Sequence, residues 1–480
     1  MTNTTGAQSA AKLQKTLGLW HIIIIGLAYI QPMTLFDTFG LVAEESHSHV
    51  PTSYIIALIA ILFTSISYGH MIRRYPSSGS AYTYSQKSIH PNVGFMVGWS
   101  SWLDYLLSPM VNIILAIIYL EALFPTVNHW IWVFVLTAIM TLVNLRGARF
   151  VANFNSWIVF VQLLVITVFT GLLFHKLNAG FNADGTIAAN APQLWSLEPF
   201  WNSMTSVGAL ITGATLLCFS FTGFDSLSSL AEETKDTKKT LPKAIFLTAL
   251  FAGIIFIVST YFMQLYFPNN PSSYFTDIAA TQPDILLVGN DLFTPFQLHI
   301  FQLLFTVTFQ SLVLSFAIIT VMASGISAHA GVSRLMYVMG RDGVINKKIF
   351  GHISPKSFTP SYNILIVGAV ALTAGFMDLD IVISMISFGA LTAFTFVNLS
   401  VISRYALREG RYKTVKDFCS YVVIPLCGFI SIFAMWLEIE ETALKYGLTW
   451  AMLGILYLGY KTKGFKNPAP QHNEFDDSIH

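Results

Sequence analysis

Once the apolar segments of this 480-residue chain are marked as candidate membrane spans, 24 of its 26 Lys and Arg residues fall on one side. Reading alternate connections from the N-terminus, the other side holds only Lys176 and Lys445. Cytoplasmic loops concentrate Lys and Arg, so the asymmetry sets an orientation. It also checks the number of spans, because one missed or invented span would move every later loop to the wrong side. The chain is therefore expected to be an all-α polytopic membrane protein with both termini in the cytoplasm.

Hydrophobic residues make up 54% of the chain and charged residues 11%, against about 25% charged in a soluble protein. The net charge of +1 gives no basic field for nucleic acid. Cys218, Cys419 and Cys427 show no CxxC spacing, so neither a metal site nor a disulfide framework is expected. The first 19 residues are polar and carry no pattern of a removable signal peptide. There is no Gly-x-Ser-x-Gly elbow, no phosphate-binding Gly loop with Lys and no clear cluster of metal ligands. The expectation is no enzyme and no cofactor. His47 and His49 share an outer loop but make a poor metal claim, and His329 reads as hydrogen-bonded structure.

A helical span needs about 20 mainly apolar residues. Twelve segments qualify, near 17–43, 51–73, 92–120, 129–146, 152–175, 207–231, 243–268, 299–340, 360–377, 380–406, 417–438 and 442–461. The 299–340 run is too long for a straight span and is expected to continue beyond the membrane. The outer loops 177–206 and 269–298 lack Lys and Arg and are long enough to cover an outer mouth. The expected organisation is a tail of residues 1–16, one transmembrane domain over 17–461 and a tail of 462–480, disordered from 464 onward.

Two spans are interrupted. The first reads Gly26-Leu27-Ala28-Tyr29-Ile30-Gln31-Pro32-Met33-Thr34, with Pro32 in mid-span, where it removes a backbone donor and clashes with the preceding turn. The sixth reads Phe219-Ser220-Phe221-Thr222-Gly223-Phe224-Asp225, with Gly and a carboxylate at mid-depth. Unpaired backbone costs several kcal/mol per group in hydrocarbon, so such breaks persist only around a protein-buried or watered cavity. The bland alternative is a pair of ordinary kinks, since Gly and Pro are common in membrane helices. Breaks at positions one and six suggest two five-helix repeats of opposite topology with a binding site between them near the midplane. Gly26, Pro32 and Gly223 are the expected break residues.

These breaks, together with the loop Gly79-Ser80-Ala81-Tyr82-Thr83-Tyr84 and the stretch Ala231-Glu232-Glu233-Thr234-Lys235-Asp236, resemble the amino acid–polyamine–organocation transporters. The stretches Tyr29 to Gly40, Gly94 to Ser101 and Phe388 to Asn398 are similar to the bacterial putrescine importers. The likeness runs from about 12 to 467. It implies ten core helices as a five-plus-five inverted repeat, about 17–175 and 207–406, with two additional helices over 417–461. It also implies alternating access: a secondary transporter importing a small diamine across the inner membrane, with no obligatory protein partner evident. An amino-acid permease or exchanger of the same fold is the alternative.

Ionisable residues at membrane depth cost about 3 kcal/mol each on insertion scales and are functional candidates by default. Asp225 follows the sixth-span break and matches the acidic position that polyamine and arginine transporters of this superfamily carry there. Asp104 lies midway along the third span, and Asp37 sits about a turn past Pro32. No Lys or Arg is expected at comparable depth, so a ligand cation would supply the missing partner. Asp37 has a local alternative as a cap or a partner of Thr34 or Thr38. Asp104 has alternatives as a proton-coupling site or a partner of a neighbouring hydroxyl.

In the wider superfamily the first break resembles Gly-x-x-x-Gly-Ser-Gly, whose bare N–H groups hold a carboxylate. Here the later two glycines correspond to Ile30 and Pro32, which suits an amine without a carboxylate. Tyr29, Tyr105, Phe219 and Phe221 offer π-faces worth about 0.5–2 kcal/mol each to an ammonium. Gln31, Ser220 and Gly223, at the breaks themselves, complete the expected substrate site. A coupling proton is suggested by family analogy, but Gln162 stands where some proton-coupled relatives have a Lys, and Gln does not titrate. Ser324 and Ser327 could help coordinate sodium, but small polar residues also serve helix packing.

Overall fold

The computed structural model describes residues 15–146, 148–178, 195–202, 205–266, 299–355 and 357–471. Within its helices several side chains, including those of Asp37, 148–154 and 299–314, lie outside that description. The outer loops singled out in the sequence fall largely outside it too.

The first span is two helices, α1 (Leu19–Ile30) and α2 (Thr34–Glu45). There follow α3 (Val50–Arg74), α4 (Ser80–Ser88), α5 (Pro91–Leu123), α6 (His129–Leu145) and α7 (Ala148–Asn178). The sixth span is α8 (Val207–Phe221) and a 3-10 helix, Ser226–Glu233. Then come α9 (Thr237–Tyr266), α10 (His299–Arg341), α11 (Ser361–Ala371), α12 (Leu379–Val401), α13 (Ile424–Leu437) and α14 (Glu441–Lys461). No strand occurs among the described residues; Leu17 and Thr234 form an isolated parallel bridge.

Nine helical segments among the described residues are long and apolar enough to cross a membrane, and 129–145 and 361–376 are shorter apolar helices. Large apolar side chains stand outward on α7, α13 and α14, with Trp157, Phe433 and Leu456 all more than half exposed. An apolar surface on this scale faces lipid rather than water. Polar ends are capped locally: Asn128 accepts from the Trp130 N–H at 2.9 Å at the start of α6.

Three buried apolar clusters organise the interior. The largest joins α1, α2, α3, α7, α8 and α9. A second joins α5, α6 and α10 toward one end, and a third joins α4, α5 and α10 toward the other. Leu103 and Leu107 belong to the second and Tyr105 to the third, so Asp104 sits where the interior changes hands.

Two expectations need correction. The 79–84 stretch opens a helix, α4, rather than a loop, with every residue of α4 but Lys87 buried and Tyr82 and Tyr84 fully so. The tail is not disordered from 464: Ala469 is buried in the third cluster, and its N–H donates to Asn92 Oδ1 at 2.9 Å. Its short Pro-Ala-Pro stretch finds apolar surface beside Phe95 and Tyr82, which a composition argument cannot foresee. Residues 472–480 lie outside the described residues.

Candidate functional site

The first break is short. Gln31 takes a left-handed conformation (φ 53°) while its N–H still donates to Leu27 O at 3.0 Å. Pro32 then has no N–H to extend the ladder, and α2 restarts at Thr34 with its N–H on Gln31 O at 2.8 Å. Gly26 is not part of this break. It lies inside α1, where an added Cβ would meet Leu227 and Thr248 at 2.7 Å. Its role is close helix packing.

The second break centres on Gly223, whose φ of +109° is open to glycine and strained for other residues. An added Cβ there would also stand 2.1 Å from the Tyr29 ring. The two interruptions are thus pressed together, Tyr29 from one against Gly223 of the other. A third contact ties the first break to α10, where Ser324 Oγ donates to Tyr29 O at 2.7 Å.

Two carboxyl groups lie beside this junction. Asp225 is buried and accepts a hydrogen bond from the Tyr105 hydroxyl and another from the Gly223 N–H at 3.3 Å. Asp104 is equally buried. Its contacts are Ser108, whose Oγ lies 3.5 Å from Oδ1, and Gly389, where an added Cβ would come within 2.6 Å of the Asp104 Cβ. The two acids lie near enough to act electrostatically on each other and on the Tyr29 phenol. Among the described residues, neither forms an ion pair, and no group of three His, Cys, Asp or Glu could hold a metal.

Tyr29 divides the space. On one side a cavity of about 20 Å³ is lined by Gln31, Thr34, Asn112, Phe219, Thr222 and Ser324. On the other a cavity of about 10 Å³ is lined by Ser226, Ser229, Ser327, Gly331 and Arg334. Each has room for about one water, so neither holds a ligand larger than that in this conformation. Phe221 lines neither cavity and packs on Tyr54 and Phe256. Ser220 is fully buried, with no hydrogen-bond partner for its hydroxyl among the described residues. The Asp37 side chain lies outside the described residues.

Below the second cavity a polar lattice closes the basic side. Arg334 Nε donates to Glu233 Oε1, with both side chains under a tenth exposed. Arg341 reaches Glu232 at 3.3 Å, and the Tyr82 hydroxyl donates to Asp342 Oδ2 at 2.7 Å. Burial, and then the Asp342 carboxylate, push the Tyr82 phenol well above its ordinary range, so it remains a donor. Leu17 bridges to Thr234, and Glu233 O accepts from the Thr16 and Leu17 N–H groups at 2.9 and 3.0 Å.

A sequence profile of the amino acid permease family matches residues 21–471. The chain belongs to that family. It is a membrane transporter of the permease type rather than an enzyme. It is 52% identical over 474 residues to the low-affinity putrescine importer PlaP of Escherichia coli strain K12, covering 98% of this chain and 99% of that one. It is 46% identical over 214 residues to the probable low-affinity putrescine importer PlaP of Klebsiella pneumoniae, covering 44% of this chain and 99% of that one. Its identity to the branched-chain amino acid permease BcaP of Bacillus subtilis strain 168 is 23% over 490 residues, covering 96% of each.

For this permease, sequence reasoning missed the buried Arg334–Glu233 pair. In the sequence Arg334 reads as one of the basic-side cations, because the length of α10 hides where the membrane stops. It also missed Ser108 and Ser226, which flank the Tyr29 hydroxyl. Isolated serines carry no signal until the fold brings them together.

Proposed function

We propose that this permease imports putrescine across the inner membrane by alternating access, with Asp225 and Asp104 as its two ammonium anchors. The observation that carries the reading is the pair of fully buried carboxyl groups beside two broken helices, neither in an ion pair among the described residues. Leaving two such groups without cations is expensive unless a cation visits them or they take up protons. An extended four-carbon diamine brings an ammonium to each end. The name of the 52%-identical E. coli relative supports the same substrate.

In this reading one ammonium displaces the Tyr105 hydroxyl from Asp225, and the other settles at Asp104 against Ser108. Tyr29 and Phe219 flank the methylene chain, and Gln31, Ser220 and the Gly223 backbone face the ends. Asp37 enters as a further acid of the outer half. Tyr29 must leave Gly223 for the two cavities to merge into one site large enough for the ligand. Release to the basic side requires the Arg334–Glu233 and Arg341–Glu232 contacts to part.

The organisation proposed with it is twelve spans in one domain over 17–461, built as inverted repeats of about 17–175 and 207–406 with two additional helices over 417–461. The tails 1–16 and 462–480 lie in the cytoplasm. Putrescine carries two charges, so 100 mV supplies about 4.6 kcal/mol. That is over a thousandfold accumulation at ~1.4 kcal/mol per decade, so voltage alone is a sufficient drive. The Gln162 side chain, fully buried with neither amide atom partnered among the described residues, does not titrate. A coupling proton would have to ride on one of the site's acids.

Competition of labelled putrescine uptake by diamines and by amino acids tests the reading. Diamines alone should compete. Competition by amino acids at comparable concentration would favour the amino-acid permease or exchanger instead.

A further inference from the structure

Far from the two breaks, at the end of α3 on the basic side, cations converge on one aromatic ring. Arg74 Cζ, Lys87 Nζ and Arg404 Cζ lie 6.0, 5.7 and 5.9 Å from the centroid of Tyr75. They come from three different elements: the last turn of α3, the last turn of α4, and the π-helical extension of α12 over Ile402–Arg408. Such π segments are uncommon and recur at functional positions. Two of the cations share one carboxylate oxygen, since Glu409 Oε1 lies 3.4 Å from Arg74 and 3.1 Å from Arg404. A single oxygen satisfies two guanidinium groups poorly. The Arg404 Nε is buried with no hydrogen-bond partner among the described residues. An orphaned donor of this kind is destabilising unless an acceptor reaches it.

Arg408 reinforces the floor by donating to Ile89 O at 2.7 Å and Lys87 O at 3.2 Å, which holds the end of α4 against the extension of α12. The segment that follows is apolar and outward. Leu407 is 77% exposed, Val415 82% and Phe418 46%, interleaved with Arg411, Lys413 and Lys416. Side chains of that kind, at the end of a span, sit at a membrane–water boundary with the apolar ones in lipid and the basic ones at the headgroups.

We propose that Arg74, Arg404, Lys87 and Tyr75 form a binding site for the phosphate of an anionic phospholipid in the leaflet on the basic face. Its phosphoryl oxygens supply acceptors to the crowded guanidinium groups, and its acyl chains cover Leu407, Val415 and Phe418. Guanidinium forks match phosphate oxygens better than a shared carboxylate oxygen does. The bound headgroup ties together the ends of α3, α4 and α12. These elements carry neither Asp225 nor Asp104, so the inference stands apart from the substrate reading.

The test is lipid retention by the full-length purified protein, measured by native mass spectrometry after equilibration with equal amounts of phosphatidylglycerol and phosphatidylcholine. Wild type should retain the anionic lipid in clear excess. Arg74→Gln, a half-exposed position where folding is not at stake, should lower the ratio about fivefold, the effect of one basic residue near an anionic surface. Glu409→Gln removes the competing carboxylate and should raise it. That rise separates a lipid site from a structural ion pair, whose loss would leave retention unchanged or lower. Equal retention of the two lipids, or a ratio insensitive to both substitutions, overturns the proposal. Displacement of the lipid by millimolar inorganic phosphate also overturns it, marking a site for a small soluble anion.

Discussion

Asp225 and Asp104 are both about 1% exposed, yet their surroundings differ. Asp225 accepts from the Tyr105 hydroxyl and the Gly223 N–H, whereas Asp104 faces a distant serine hydroxyl. Asp225→Asn keeps the shape and removes the charge, so uptake should fall at least a hundredfold while the protein still reaches the membrane. Losing a charge-assisted contact and unbalancing its donors is worth about 3 kcal/mol or more. Uptake in cells with matched protein levels measures this, and wild-type transport would remove Asp225 from the site. Asp104→Asn should weaken diamines more than monoamines, because it removes the second anchor only. Equal losses for both would assign Asp104 to coupling or structure. These two acids were legible from charge and depth alone. Phe221 was not, since residue type and depth do not give the direction of a side chain around its helix. In the fold it turns toward Tyr54 and Phe256 rather than into either cavity.

Between elements, the decisive contact is the one joining α10 to the end of the 3-10 helix. Arg334 and Glu233 are buried together, and breaking such a pair by removing one partner leaves a buried charge uncompensated, at about 3–5 kcal/mol. Arg334→Gln should therefore lower the thermal stability of the detergent-purified protein clearly, and the Arg334→Gln, Glu233→Gln double variant should recover much of the loss. Additive effects in thermal melts would show that the pair is not coupled. In the same variants Ser229→Cys, on the wall of the inner cavity, should label faster with a polar thiol reagent. The breaks themselves were readable, because Pro32 cannot extend a ladder and Gly223 permits what other residues resist. Their exact seating was not. Gly26 looks like a hinge in one dimension and proves to be the place where α1 meets Leu227 and Thr248.

At the scale of the whole molecule, the two cavities separated by Tyr29 are each too small for a diamine, so binding requires the two sides to move apart. If voltage drives import, proteoliposomes holding 100 mV negative inside should accumulate putrescine over a thousandfold with no pH gradient, the value set by about 4.6 kcal/mol on two charges. Accumulation that follows an imposed pH gradient at zero voltage would instead give the drive to protons. What the sequence determined by itself was the lipid-facing class, the succession of apolar helices and the presence of acids within the apolar spans. These follow from transfer free energies that act residue by residue along the chain. What only the tertiary structure decided was which groups meet: Tyr29 with Gly223, Tyr105 with Asp225, Arg334 with Glu233. Each pair joins residues more than a hundred positions apart in the chain, and their contact depends on helix rotation and close approach. Those are set by the packing of all the helices at once and leave no periodic mark on any one of them.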